Sequence, residues 1–293
     1  MRLAYVITVF KQPEQVARLL DAIWHPDDAF ALHLDAKASP DLRMRFEALA
    51  QGRPNVTFVD PVRVCWGGFS LCEAEWRCLH HLVTRHPGWD YLMNITGQDF
   101  PLRPRRDIIA DLASRPGTNY MQVLDVAALP RHFRQRSAWY CLEARDRLLR
   151  LPIPYLPPRR FRNRWFGSGW HVLTRDFCEW LVATPLMDEC RRYFRHVKHP
   201  HEAWLQAMMM ASPFRDTVDQ DNRRAIVWTH GSGNPNILTI ADLPALERSD
   251  AFFARKFDES VDAQVLSIIE ARLADPGISA PGITGVAPRA ARA

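Results

Sequence analysis

Three signatures are missing from the chain, and each absence excludes a class. There is no G-x-G-x-x-G, no G-x-x-x-x-G-K-[ST] and no G-x-S-x-G. A glycine-rich dinucleotide loop, a P-loop and a hydrolase nucleophile elbow are therefore not encoded. The six cysteines, at 65, 72, 78, 141, 178 and 190, form no Cys-x-x-Cys pair and no zinc spacing. Reduced thiols in a cytoplasm are the simplest reading. No run of 18 apolar residues occurs, so no span of a membrane is expected. The opening MRLAYVITVF reads as a strand, not as a signal peptide. No internal repeat is present.

What is present is a chain of 293 residues, enough for a substantial core. The net charge of +5 favours anionic partners: nucleotides, phosphorylated lipids, nucleic acid or an acidic membrane face. Ten tryptophans suit either core packing or the holding of flat ligands such as sugar rings.

Apolar runs and helical spacings alternate through the first half. Strands are expected at 3–9, 30–35, 55–60 and 91–96. Helices are expected at 13–23, 40–50 and 70–86, the last capped by Ser70. This order implies βαβ units and a mostly parallel sheet, with ligands at the carboxyl ends of the strands. The fold class is α/β, with helices flanking the sheet. Residues 131–164 carry ten arginines and four prolines and read as a long loop with short helices, either a functional loop or a solvated basic surface. Residues 1–274 are expected to form one domain. Residues 275–293, rich in Pro, Gly and Ala, are expected to be a disordered tail.

Three stretches bear chemistry. In HLDAKAS (33–39), Asp35 at a strand end suits hydrogen bonding to a base or ribose, or simply a turn, and Lys37 suits a phosphate. In HVKHPHEAWLQAMMM (196–210) the histidines do not complete an H-E-x-x-H zinc helix. Pro200 fits a first helical turn, and Glu202 sits near its positive end. Glu202 is then either a dipole-matched surface residue or the single carboxylate base that direct displacement at a sugar carbon requires. Late in the chain, Arg224 and Lys256 are two cations suited to neutralising a diphosphate leaving group, although a lysine among aromatics is also a common packing arrangement.

Taken in order, AYVITVFKQPEQVARLLDAI, HLDAKAS, VCWGGFSLCEAEWRCL, YLMNITGQDFPLRP, GSGWHVLTRDF, HPHEAW, RAIVW, NPNILTIADLPAL and FFARKFD resemble the Core-2/I-branching glycosyltransferases. That family includes β-1,6-N-acetylglucosaminyltransferases and peptide O-xylosyltransferases. The resemblance covers residues 3 to 260. It implies a GT-A-like (Rossmann-like) fold and an inverting transfer from a UDP-sugar, with no divalent metal and no further cofactor. It implies Glu202 as the base that deprotonates the acceptor hydroxyl, and Arg224 and Lys256 as the residues that hold the UDP phosphates. Asp35, Lys37, Trp66, Gly67 and Gly68 fall at the donor nucleotide and sugar. Gln98, Asp99, Ser168, Gly169 and Trp170 fall near the donor and acceptor sugars.

The partners so implied are a UDP-sugar, a glycan or lipid-linked acceptor and, through the basic segment, the inner face of a membrane. Nucleic acid is not among them, since no recognition motif accompanies the arginines. N-acetylglucosamine is the first expectation for the sugar and xylose the second. A bacterial cytoplasmic relative that builds polysaccharide fits the lack of an anchor. A non-catalytic nucleotide-sugar or glycan binder on the same fold is the rival reading.

Two departures from the family pattern stand out. The family often has Pro-Asp-Glu or Pro-Ala-Glu at Pro200-His201-Glu202. The xylosyltransferases carry Asp where this chain has Gly169. Asp219-Gln220-Asp221 has the form of the Asp-x-Asp metal motif of other GT-A enzymes, and is read here as a polar turn.

Overall fold

Continuous apolar runs bounded by turn residues become buried strands, and this chain uses them at the centre of its sheet. The structure is a computed structural model that describes residues 1–130, 133, 138–144, 146–161, 164–229 and 233–274. The tail expected at 275–293 lies outside the described residues, as do Arg131, Arg134, Arg136, Arg145 and Arg162 of the basic segment. The chain gathers into two compact units. One comprises residues 1–11, 26–96 and 116–222; the other comprises 12–25, 97–115 and 223 onward.

The strands in chain order are β1 (Leu3–Val9), β2 (Ala29–Leu34), β3 (Val56–Phe58), β4 (Tyr91–Thr96), β5 (Asp99–Pro101), β6 (Asn119–Met121) and β7 (Leu124–Asp125), followed by β8 (Trp139–Ala144), β9 (Arg147–Pro154), β10 (Trp165–Phe166), β11 (His171–Thr174), β12 (Val218–Asp219), β13 (Arg224–Ile226) and β14 (Phe253–Arg255).

The first unit is built on a seven-stranded sheet in the order β12-β6-β11-β4-β1-β2-β3. β1 pairs in parallel with β2 and β4, placing Val6 opposite Ala31 and Asn94. β2–β3 and β12–β6 are also parallel, and only β11 runs against its neighbours. β2 is buried at all six positions, as strands covered on both faces are. The helix Ser70–Arg85 lies on β1 and β2 and contributes Cys72, Trp76, Cys78, Leu79 and Leu82 to the core. This is the α/β architecture, mostly parallel and flanked by helices, that the alternation of elements predicts.

Two local expectations are corrected. Ser70 does not cap its helix: it is the first helical residue, Phe69 is the cap, and the Ser70 hydroxyl accepts the Cys65 N–H at 2.7 Å. Glu143 takes the capping duty from a distance, accepting the Ser70 N–H at 2.9 Å. The described part of 131–164 is a β-hairpin, β8–β9, rather than a loop with short helices. Pro152 and Pro154 fall where the β8–β9 register shifts between Trp139 and Cys141, an irregularity at which a missing ladder donor is tolerated.

The second unit holds a three-stranded sheet, β13-β14-β5, with β13 parallel and β5 antiparallel to β14. Its helix Pro13–Ile23 is tied down by polar side chains. Gln15 is fully buried, donates to the carbonyls of Gly97 and Phe257 and accepts the Glu259 N–H. Arg18 makes a bidentate pair with Glu270 at 2.7 and 2.8 Å.

Candidate functional site

In the first unit the loop around Glu202 is assembled from three stretches distant in sequence. His199 adopts a left-handed backbone (φ 51, ψ 53), after which Pro200–Glu202 forms one 3-10 turn leading into the helix Trp204–Met210. The turn carrying Trp66, Gly67 and Gly68 docks on this loop. The His199 N–H donates to the Gly67 carbonyl at 2.8 Å, and the Trp66 ring stands edge-on to the His199 ring at 5.1 Å. Gly67 has φ +77, and a Cβ there would come within 2.9 Å of the His199 ring. A Cβ on Gly68 would meet the Glu143 carboxylate. Both glycines are therefore required by close approach, one of them also by its backbone.

The Gly167–Trp170 stretch closes the other side. The Gly167 N–H donates to the Glu202 carbonyl at 2.9 Å, and a Cβ on Gly167 would overlap the Gln122 carbonyl. Asn94 of β4 clamps the turn: its Nδ2 donates to the Gly169 carbonyl at 2.7 Å and its Oδ1 accepts the His171 N–H at 2.9 Å. Gln206 Nε2 donates to the Ser168 carbonyl at 2.8 Å. Behind the turn, the buried His171 ring lies 2.9 Å from the Glu75 carboxylate.

Trp66, Gly67, Gly68, Ser168, Gly169, Trp170 and Glu202 are thus brought into one construction. The Glu202 carboxylate is half-buried, with His201 Nε2 3.9 Å away. Trp66 is 67% exposed, whereas Trp76, Trp89 and Trp204 are core residues. A small cavity of about 40 Å³ borders this loop at His199 and Ala203, walled by Phe133, Phe161, Trp165 and Phe166.

The His196 ring stacks on Tyr140 at 4.2 Å, while the His199 ring packs on the Trp66 turn and stands T-shaped to the His201 ring at 5.9 Å. No group of three or more His, Cys, Asp or Glu side chains suited to a metal ion occurs among the described residues. Asp219-Gln220-Asp221 forms a turn in which Asp219 accepts the Asp221 N–H at 2.9 Å and Gln220 accepts the Val123 N–H at 2.8 Å.

Asp35 and Lys37 sit together past the end of β2. Asp35 accepts the Lys37 N–H at 2.9 Å, and the Lys37 ammonium lies 3.5 Å from Asp35 and donates to the Val64 carbonyl at 2.6 Å. Beside them His33 accepts the Val62 N–H through Nε2 at 2.8 Å. Burial pushes the His33 imidazole down to about 4, with Asp35 opposing and Arg77 reinforcing the shift. Burial likewise raises all six cysteine thiols, which are free and buried.

In the second unit, the fully buried Asp99 meets Arg224 at 3.4 Å, and Arg224 also covers the Phe253 ring at 4.9 Å. The Arg224 side chain is 1% exposed rather than presented at the surface, because a buried carboxylate needs a cation beside it. Burial lowers Arg224 to about 10 against the pull of Asp99, and lowers Arg255 with the same opposition. Lys256 follows β14, is half-buried, and accepts the Leu238 N–H through its carbonyl at 2.8 Å. The Gln98 carbonyl accepts the Phe257 N–H at 2.8 Å.

Sequence reasoning does not single out Glu75, Glu143, His171 or Gln206, whereas Asn94, a lone amide inside the apolar run YLMNIT, falls at the ligand-facing end of its strand.

The sequence model of the Core-2/I-branching enzyme matches residues 3–247. Human xylosyltransferase 2 is 29% identical over 304 residues, covering 93% of this chain and 34% of that protein. The human probable beta-1,3-galactosyl-O-glycosyl-glycoprotein beta-1,6-N-acetylglucosaminyltransferase 7 is 26% identical over 299 residues, covering 92% of this chain and 67% of that protein. The chain thus spans about a third of the xylosyltransferase 2 proteins it matches. Among solved structures, galactosyltransferase LgtC with donor and acceptor sugar analogs aligns with a TM-score of 0.44 and 10% identity over 93% of this chain and 96% of that one.

Proposed function

The chain belongs to the Core-2/I-branching enzyme family, and on that premise we propose that it is an inverting glycosyltransferase moving a sugar from a UDP-sugar to a glycan hydroxyl. The observation that carries the reading is the construction around Glu202. A half-buried carboxylate on a 3-10 turn is held by two glycine turns, next to an exposed tryptophan and an aromatic-walled cavity.

Glu202 removes the acceptor proton as the hydroxyl attacks the anomeric carbon from the face opposite UDP. The proton goes to the carboxylate, the new glycosidic bond forms, and the bond to the diphosphate oxygen breaks with its electron pair. A positioned base contributes roughly 10²–10⁴-fold. Lys256 and Arg224 neutralise the charge that builds on UDP, in place of a metal ion. Asp35, Lys37, Trp66, Gly67 and Gly68 serve the donor, and Gln98, Ser168, Gly169 and Trp170 serve the sugars, while the fully buried Asp99 holds Arg224 rather than a sugar. Trp66 offers a ring face to a sugar.

N-acetylglucosamine is preferred to xylose as the transferred sugar. The support is the resemblance together with the packing of His201 over Gly169: a Cβ at 169 would lie 3.3 Å from His201 Cδ2 and 3.4 Å from its carbonyl. An aspartate of the xylosyltransferase kind would crowd that ring. Six free buried thiols suit a reducing, cytoplasmic compartment. No helix among the described residues is long and apolar enough to cross a membrane.

Titration calorimetry with UDP-N-acetylglucosamine, UDP-xylose, UDP-glucose and UDP, each with EDTA and with manganese, tests the reading. Binding of a UDP-sugar that persists in EDTA is expected. Binding that requires manganese would move the diphosphate contact to a metal and bring Asp219 and Asp221 back into consideration. Absence of binding by every uridine nucleotide would overturn the donor assignment.

A further inference from the structure

The β8–β9 hairpin exposes apolar side chains that a soluble surface normally hides. Leu142 and Leu149 are opposite each other in its register, and both are more than two-fifths exposed. Ile153, in the stretch where the β8–β9 register shifts, is 53% exposed, and Leu156, just past the hairpin, is 79% exposed. Exposed aliphatics gathered on one short segment are a candidate contact surface.

The charge around this patch has one sign. Arg147, Arg150, Arg159 and Arg160 are exposed, and none of them pairs with a carboxylate among the described residues. The two acids of the hairpin are engaged elsewhere. Glu143 accepts the Ser70 N–H at 2.9 Å, and Asp146 is met by Arg63 at 2.8 Å and by Lys37 at 3.7 Å. The hairpin and the turn that follows it therefore expose aliphatic and cationic side chains together.

We propose that the β8–β9 hairpin docks the protein on an anionic lipid bilayer. Leu149, Ile153 and Leu156 enter the headgroup region, and the arginines face lipid phosphates. A nucleic acid would use the cations and leave the aliphatic residues wet. A second copy adding a strand to β9 would meet Pro152 and Pro154, which lack the donors a ladder needs. Docking does not depend on the transferase reading.

Co-sedimentation with vesicles of phosphatidylcholine, with and without phosphatidylglycerol, is the test. Wild-type protein is expected to pellet with the anionic vesicles only, and less as salt is raised. The pair Leu149→Asp with Ile153→Asp, and the pair Arg147→Gln with Arg150→Gln, are each expected to weaken binding about ten-fold or more. Circular dichroism and thermal melts confirm that each variant is folded. The salt and lipid dependence of the wild type decides the matter even where a variant is not folded. Wild-type protein that stays in the supernatant, or undiminished binding by the folded aliphatic pair, would overturn the proposal. So would a concentration-dependent dimer abolished by that pair, which would assign the face to a second copy.

Discussion

The ring of His199 occupies the space a side chain would take on Gly67, and the His199 N–H donates to the Gly67 carbonyl at 2.8 Å. This couples the Trp66 turn to the loop that carries Glu202. Gly67→Ala meets two obstacles, a φ of +77 and a Cβ within 2.9 Å of the ring. It is expected to lower stability by about 1–3 kcal/mol and to lower turnover, because His199 must shift and Glu202 lies three residues on. Thermal unfolding beside steady-state kinetics checks this. An alanine variant that melts and turns over like the wild type would show that the two loops are not coupled.

Trp66 is 67% exposed and its ring stands T-shaped to His199, so its removal costs little packing. Trp66→Ala is expected to raise KM for a sugar substrate roughly 3–10-fold, the size of an aromatic contact, with kcat nearly unchanged. An unchanged KM for both donor and acceptor would remove Trp66 from the site.

His33 makes stability depend on pH. Its imidazole is pushed from 6.5 down to about 4 and must be neutral to accept the Val62 N–H. Between those values the unfolded chain binds more protons than the folded one, so stability rises with pH there and falls on acidification through that window. From pH 7 to pH 5 this group alone removes about 2 kcal/mol. Urea unfolding at the two pH values, for wild type and for His33→Gln, reads the effect. A wild-type difference no larger than that of the variant would contradict it.

What could be read from the chain followed the distance over which the interactions act. β4 was placed at 91–96 and the first helix at 13–23, because apolar periodicity is a local property. The cap of the helix Ser70–Arg85 was misassigned because Glu143, 73 residues away, supplies the partner that Ser70 would otherwise provide. Residues 131–164 read as a loop with short helices, since their arginines and prolines mask the alternation of the ribbon at 139–154. In the site, Glu202 and the Trp66-Gly67-Gly68 turn were visible as motifs. The clamp by Asn94, the Glu75–His171 pair and the burial of Arg224 against Asp99 were not, because pairing across 75 to 125 residues leaves no periodic trace.

The central claim is that Glu202 is the base. Donor affinity and turnover measured side by side on Glu202→Gln test it most directly. The account predicts donor Kd within about three-fold of wild type and kcat reduced by roughly 10²–10⁴-fold. Turnover near the wild-type rate, or equal losses of binding and turnover, would contradict it.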